Sequence, residues 1–422
     1  TNMVTGIATA YMDSIPLVAI TGNVPKKLIG TDAFQEIDIT GISTPITKYN
    51  ILVQNAEDLP KIIAEAFYIA KSGRPGPVLI DIPRDVSQQK VESYERWDKV
   101  DIRSYKPTVY GHAGMIKRAV KAIAEAERMV IIAGGGVNTA GATKEVLDLA
   151  ESKNCPIVCT MMGLGSVPAS SPYVVGMLGT YGNQEANTLV RQADVILAIG
   201  TRFDDRIINA PNLFAPNSFI IHVDVDPAEI GKNITPDIPV VGDAKQVMLQ
   251  LADAIQRKDS EMVSCNYLTK AKASPEPDRI VPKVLRAISE KVDPAHSFFT
   301  TDVGQHQVWA ANYLKCETPH QFISSCGLGT MGYGIPAAAG AQKARPDATV
   351  IAVTGDGSFQ MGMYELGRIM EQNLPVKVLL FNNRTLGMVR QLQYHYVGKR
   401  YSNVLFTADI DFSKIFEAYG FN

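Results

Sequence analysis

Residues 348–393 read ATVIAVTGDGSFQMGMYELGRIMEQNLPVKVLLFNNRTLGMVRQLQ. Val350-Ile351-Ala352-Val353 is an apolar strand that breaks into Thr354-Gly355-Asp356-Gly357-Ser358. Phe359, Met363, Leu366 and Ile369 then share one face of a helical pattern. A second strand, Val376 to Phe381, breaks into Asn382-Asn383 after 24 intervening residues, 358 to 381. A right-handed crossover makes the two strands parallel, with their carboxyl ends on one edge, so Asp356 and Asn383 are expected to meet. A carboxylate and an amide oxygen held there are hard ligands suited to Mg²⁺, which completes its octahedron with phosphate oxygens and water. Gly355 and Gly357 leave backbone N–H groups bare beside a helix N-terminus, which favours an anion. The plain alternative is a strand-to-helix turn and an unrelated polar turn. The pairing of GDG with NN, each closing an apolar strand, favours a metal–diphosphate site.

The chain has 422 residues, too many for one core, and a net charge of −2 with charges interspersed, so no basic footprint argues for nucleic acid. No run approaches the roughly 18 apolar residues of a membrane helix. Cys155, Cys159, Cys265, Cys316 and Cys326 are odd in number and lack metal-ligand or disulfide-framework spacing, which fits a reducing compartment.

Upstream, Ile15–Thr21 and Val78–Ile82 are short apolar runs bounded by Gly and Pro, as buried parallel strands are. The helix expected between them, about Ala56 to Ala70, offers Leu59, Ile62, Ile63, Ala66 and Phe67 as a core face. Gly30-Thr31-Asp32-Ala33-Phe34-Gln35-Glu36 is a polar loop with one aromatic, and Phe34 by itself reads as a core anchor. Ser72 to Pro77 is a Pro/Gly turn in which Arg74 reads as a surface residue. Residues 87–108 are charged and aperiodic, as a linker is.

A strand over Arg128–Ala133 runs into Gly134-Gly135-Gly136-Val137-Asn138-Thr139-Ala140-Gly141, then a helix to about Ser152. Such a turn lets a backbone approach a pyrophosphate, but GGG is not GxGxxG, and a plain tight turn stays open. Val195–Gly200 leads into Thr201-Arg202-Phe203-Asp204-Asp205-Arg206, and Phe219–Val223 into Asp224-Val225-Asp226. Asp224 suits a ribose hydroxyl, and Arg202 or Arg206 a phosphate or carboxylate; a solvated salt-bridge network is the alternative. Residues 258–279 are polar and Pro-containing, a second linker. Phe298–Thr301 ends in Asp302-Val303-Gly304-Gln305-His306-Gln307, and Gly327 to Pro336 (GLGTMGYGIP) is Gly-rich around Met331.

In order along nearly the whole chain, GTDAFQE, SGRPGPV, GGGV, GMLGTYG (176 to 182), GTRFDDR, HVDVDPAEIGKN (222 to 233), GDA (242 to 244), DVGQHQ, GDG…NN and GMVRQLQ resemble the acetohydroxyacid synthase branch of the thiamine diphosphate enzymes. The resemblance implies an α/β protein of three doubly wound parallel-sheet domains, the first and last incomplete. Residues 1–86 would be the end of a pyrimidine-binding domain, 109–257 a central FAD-binding domain and 280–422 a diphosphate- and Mg²⁺-binding domain, with linkers at 87–108 and 258–279.

Carried over by position, Asp356, Asn383 and the Thr385 carbonyl would bind Mg²⁺. Val303, Gly304, Gln305, His306, Gly329, Met331, Gly355, Gly357, Ser358, Gly387, Met388 and Val389 would join Asp356 and Asn383 around thiamine diphosphate, Met331 supporting its folded shape. Arg74, Gly134, Gly135, Gly136, Leu178, Gly179, Gly200, Arg202, Asp204, Arg206, Asp224, Asp243 and Ala244 would line a structural FAD. Phe34 and Gln35 would face the substrate channel, Arg206 would hold the second substrate's carboxylate, and Leu392 would shape its pocket.

The implied reaction decarboxylates pyruvate and joins the remainder to a second 2-oxo acid, giving 2-acetolactate or 2-aceto-2-hydroxybutyrate for isoleucine and valine biosynthesis. The implied assembly is a homodimer or homotetramer, with a regulatory small subunit as a further partner and a cytoplasmic location; organellar targeting stays open. Four positions depart from the family pattern: Thr180-Tyr181 stand for Met-His, Cys326 for Gly and Leu392 for Trp. Losing that aromatic wall is expected to weaken preference for 2-oxobutyrate over pyruvate by about 1–3 kcal/mol. Both ends read as cut. The family's activating glutamate falls upstream of Thr1 and no residue here matches it, so these residues alone are expected to be inactive. Competing readings are a glyoxylate carboligase or pyruvate oxidase type, expected to differ at AFQE and RFDDR, and a non-catalytic nucleotide-binding relative.

Overall fold

The computed structural model describes residues 1–94, 97, 99–208, 210–257, 263–265, 267 and 279–421. They divide into two compact units, 1–108 with 326–329, and 109–325 with 330–421. Every strand pairing in the three sheets is parallel.

The first unit holds β1 (Leu17–Asn23), β2 (Tyr49–Leu52) and β3 (Pro77–Pro83) in the order β1-β3-β2. Val78, Leu79 and Ile80 of the central strand are wholly buried, as a parallel strand covered on both faces requires. The helix Leu59–Lys71 covers it with Ala66, Ile69 and Ala70, small or slim side chains that let backbones approach. This corrects the expected core face. Leu59 and Ile62 pack against the cluster, but Ile63 and Phe67 (48% exposed) turn away from it, with Lys71 Nζ 5.8 Å from the Phe67 ring centre. Apolar character placed them inside; the helix's rotation about its axis decided otherwise. Ile102 and Tyr105, in the first expected linker, also pack on this core, and the Tyr105 hydroxyl donates to the Ser72 carbonyl at 2.7 Å.

The second unit contains two sheets. The larger comprises β4 (Met129–Ala133), β5 (Ile157–Cys159), β6 (Val174–Met177), β7 (Val195–Ile199), β8 (Phe219–Asp224) and β9 (Ile238–Val241), ordered β6-β5-β4-β7-β8-β9. That order reverses between β4 and β7, where doubly wound sheets open a crevice at their carboxyl edge. Every residue of β4 and β7 is buried. The helix Ala113–Glu125 adds Ile116, Ala119, Val120 and Ile123 at helical spacing. Most of the second expected linker lies outside the described residues. Cys265 and Tyr267 within it are core residues of this domain, and the Tyr267 hydroxyl donates to the Leu189 carbonyl at 2.9 Å.

The smaller sheet comprises β10 (Ser297–Thr301), β11 (Phe322–Ser324), β12 (Thr349–Gly355) and β13 (Lys377–Phe381), ordered β11-β10-β12-β13. It reverses between β10 and β12. Phe359 is fully buried between Phe412 and Phe416, ring centres 5.7 and 5.0 Å away; burying such a ring stabilises by about 1.5–3 kcal/mol. The expected helix after β12 is two, Asp356–Gly362 and Glu365–Glu371, and β12 runs into the first with no loop between them.

Candidate active site

Gly355 pairs with Phe381 as the last step of the β12–β13 register, so Asp356 and Asn382-Asn383 leave adjacent strands on one edge. Asp356 opens its helix and is buried; Oδ1 accepts the Gly357 amide at 2.9 Å, while Oδ2 is buried without a hydrogen-bond partner. Asn383 Oδ1 accepts the Thr385 amide at 3.1 Å, which curls the chain at the edge, with Asn383 and Arg384 exposed and Thr385 half-buried. Among the described residues no three His, Cys, Asp or Glu side chains cluster as a metal set, so any cation here would depend on mixed carboxylate, amide and carbonyl oxygens.

The turn after β10 reaches the same place. Gly304 has φ +148° and precedes the helix Gln305–Tyr313, whose N-terminus favours an anion. Gln305 Nε2 donates to Gln391 Oε1 at 2.8 Å. A side chain added at Gly387 would meet both Gln305 Oε1 and Asn383 Nδ2, so Gln305, Asn383 and Gly387 converge. One added at Gly357 would meet Leu386. His306 lies in the first helical turn, buried against Gly355, with Nε2 unpartnered. Burial pulls its pKa down to about 4, against a hydrogen bond to the Asp302 backbone that favours the proton. The imidazole is neutral. Ser358 donates to the Val303 carbonyl at 3.1 Å, joining the turns after β10 and β12.

Met331 is half-buried, and Met388, Val389 and Leu392 lie on the helix Gly387–Tyr396, with Val389 and Leu392 about two-fifths exposed at 41% and 42%. Gly329, at φ +69°, and Cys326 belong to the first unit. There Asp13 accepts the amides of Cys326 and Gly327, and Cys326 keeps negative φ, as a side chain at that position requires. In the same unit Phe34 is 88% exposed and Gln35 has φ +63°. Phe34 is therefore no core anchor. The Glu36 carboxylate folds the loop by accepting the Gly30 and Ala33 amides, and Gln35 lines a cleft of about 570 Å³ with Thr21, Ile37 and Ile39. Arg74 Nε donates to Ser14 Oγ at 2.8 Å.

At the larger sheet, Gly134–Gly136 follow β4, Gly200–Arg206 follow β7, Asp224 ends β8 and Asp243-Ala244 follow β9, all on one carboxyl edge; Leu178-Gly179 follow β6 on the same edge. The glycines have a use the motif did not disclose. A Cβ on Gly134 would stand 2.1 Å from the Gly200 carbonyl oxygen, and one on Gly136 2.6 Å from the Gly200 Cα, so their bareness lets two strand ends touch. The run from Gly135 to Ala140 is a short helix rather than a loop. Arg202 lies 3.7 Å from Asp204; Arg206 pairs with Asp205 in solvent, lowering the Asp205 pKa chiefly through their hydrogen bond. Asp243 accepts the Gln246 amide, capping the helix Ala244–Arg257. His222, buried under Asp224, bonds the Thr201 carbonyl at 2.9 Å and meets the Phe203 ring edge-on.

Sequence reasoning passed over Asp302. It is wholly buried after β10, whose sequence SFFTT carries three hydroxyl side chains, so the apolar run that singled out Asp356 was missing here.

Three family models match the chain: the thiamine pyrophosphate enzyme N-terminal TPP binding domain over residues 1–42, the central domain over 116–251 and the C-terminal TPP binding domain over 302–422. Relatives align along its whole length. The probable acetolactate synthase large subunit of Methanocaldococcus jannaschii is 48% identical over 100% of this chain and 74% of its own length. The chain belongs to the acetolactate synthase family. Acetolactate synthase isozyme 3 large subunit of Escherichia coli is 42% identical over 100% of this chain and 75% of its own length, and the acetolactate synthase of Mycobacterium leprae 44% over 100% and 70%. The acetolactate synthase family is one of transferases, and this chain is an enzyme with thiamine diphosphate-binding domains. Among the described residues no helix is long and apolar enough to cross a membrane.

Proposed function

We propose that this acetolactate synthase joins pyruvate, after loss of CO₂, to a second 2-oxo acid, giving 2-acetolactate or 2-aceto-2-hydroxybutyrate in isoleucine and valine biosynthesis. The carrying observation is that the β12 and β13 ends meet on the carboxyl edge, next to the reversal between β10 and β12, in a chain aligned end to end with acetolactate synthases.

The residues present fit Mg²⁺ and a diphosphate. The bare, buried Asp356 Oδ2 is costly unless something pairs with it, and a cation held also by Asn383 and the Thr385 carbonyl would do so. The amides of Gly304 and Gln305 and the N-terminus of the helix Gln305–Tyr313 would take the diphosphate, next to Val303, Gly355, Gly357, Ser358 and the neutral His306. Gly329, Met331, Gly387, Met388 and Val389 would line the rings. When bound, thiamine diphosphate supplies the electron sink for decarboxylation. Arg206 would hold the acceptor's carboxylate by bidentate hydrogen bonds, with Phe34 and Gln35 along the substrate path and Leu392 bounding the acceptor pocket.

FAD is the further cofactor proposed, held structurally at the carboxyl edge of β4, β7 and β8 by Gly134–Gly136, Leu178, Gly179, Gly200, Arg202, Asp204, Arg206, Asp224, Asp243, Ala244 and Arg74. The reversal between β4 and β7 and the buried Asp224 support that placement. A homodimer or homotetramer, a regulatory small subunit and a cytoplasmic location complete the reading; the relatives' name "large subunit" supports the second of these.

The test is acetolactate formation from pyruvate by the native protein. Product formed only with Mg²⁺ and thiamine diphosphate, and lost in Asp356→Ala, is expected. No acetolactate under those conditions overturns the reading.

A further inference from the structure

Asp302 is wholly buried at the end of β10, has no cationic partner among its hydrogen-bond contacts, and spends both carboxylate oxygens on backbone. Oδ1 accepts the amide of Val303 at 3.0 Å and that of Gly332 at 2.8 Å; Oδ2 accepts the amide of Gly334 at 3.1 Å. Those partners come from two separate segments: the turn after β10 and the Gly-rich segment around Met331. The Asp302 amide is itself fixed to the Val353 carbonyl of β12 at 2.9 Å, and Thr300 Oγ1 holds the Gly334 carbonyl at 2.8 Å.

The fit leaves little slack. A Cβ at Gly334 would stand 2.9 Å from the Asp302 amide nitrogen, and Gly332 sits at φ +87°. Met331 lies between Thr330 and Gly332, so holding the Gly332 amide fixes the Met331 backbone from which its side chain projects. A buried carboxylate without a cation is costly, and burial raises the Asp302 pKa against the pull of those amides. A fold that needed only a turn here would be better served by Asn or Ser.

We infer that Asp302 is the positioning residue of the cofactor pocket, a clamp that sets Met331 and the Gly332–Gly334 segment at a fixed height above the turn after β10. It touches no reacting atom. Its carboxylate is needed because one acid group offers acceptors on both oxygens, whereas an amide must aim a donor at one of the N–H groups.

Part of the test is independent of the proposed reaction. In the unmodified, cofactor-free protein, the Gly332 and Gly334 amides should exchange with deuterium about as slowly as the β12 amides. Exchange at ordinary loop rates overturns the inference without any variant. In Asp302→Asn these amides should exchange at least about tenfold faster, the factor for one lost hydrogen bond to a charged group. The remaining part rests on the proposed function. The dissociation constant for thiamine diphosphate with Mg²⁺, read by protein fluorescence, should rise about tenfold in Asp302→Asn. It should stay at the wild-type value in Ile369→Val, a core variant that lowers stability away from the pocket. Faster exchange with unchanged affinity, or an equal loss of affinity in Ile369→Val, removes the positioning role. Failure of the wild type itself to bind the cofactor counts against the proposed function and leaves the exchange result standing.

Discussion

The imidazole of His306 stands where a side chain at Gly355 would begin: a Cβ added there would lie 2.9 Å from Nδ1 and 3.0 Å from Cε1. Gly355 has φ −105°, so alanine is conformationally permitted and only the buried ring opposes it. Gly355→Ala is therefore expected to cost about 1–3 kcal/mol by overpacking. It should also weaken thiamine diphosphate binding by displacing His306. Thermal unfolding and cofactor titration check this; a variant as stable as wild type with unchanged affinity refutes the crowding argument.

Asp356 carries a buried oxygen that has no hydrogen-bond partner among the described residues. Asp356→Asn removes the charge while nearly keeping the shape, so the cofactor-free protein should melt at the wild-type temperature or above it, by at most about 1–2 kcal/mol. The upward shift in melting temperature produced by Mg²⁺ with thiamine diphosphate should vanish, as EDTA should abolish it in the wild type. A large loss of stability, or a surviving response to Mg²⁺, contradicts the proposed ligand role.

Histidine burial sets an acid limit. The folded-state pKa of His306 is depressed from 6.5 to about 4, so between those values the unfolded chain binds more protons than the folded one. Stability from this group is fully present above pH 6.5 and is lost as pH falls through 4, to about 3 kcal/mol at most. His222 and His320 shift the same way through burial, while Asp302, whose pKa is raised by burial, opposes them. Denaturant unfolding followed from pH 7 to pH 4 should show this decline, with a shallower slope in His306→Gln. Equal slopes show that His306 does not contribute.

Leu392 is about two-fifths exposed beside Met388 and Val389 on its helix and presents no aromatic wall. Leu392→Trp should raise discrimination for 2-oxobutyrate over pyruvate as acceptor by about 1–3 kcal/mol. Competition between the two acids, read as the ratio of products, measures it. An unchanged ratio removes Leu392 from the acceptor pocket.

Much of this protein is determined by local sequence. β4, β7 and β12 are legible because a parallel strand buried on both faces tends to be a continuous apolar run, and because Gly134, Gly200 and Asp356 follow each run at its end. The edge shared by Asp356 and Asn383 followed from handedness alone. What the tertiary structure decided was contact between backbones far apart in the chain. β5 and β11 are three residues each, too short for periodicity to show. Ile63 and Phe67 are apolar yet outward, Cys265 and Tyr267 sit in a polar stretch yet pack inward, and Gly134 and Gly136 are bare because Gly200 lies against them. Asp302 joins the turn after β10 to a Gly-rich segment thirty residues on, which no spacing relates. Local pattern reports whether a residue prefers water or the interior; which distant backbone it meets depends on how whole elements pack, and that information resides in no short stretch of sequence.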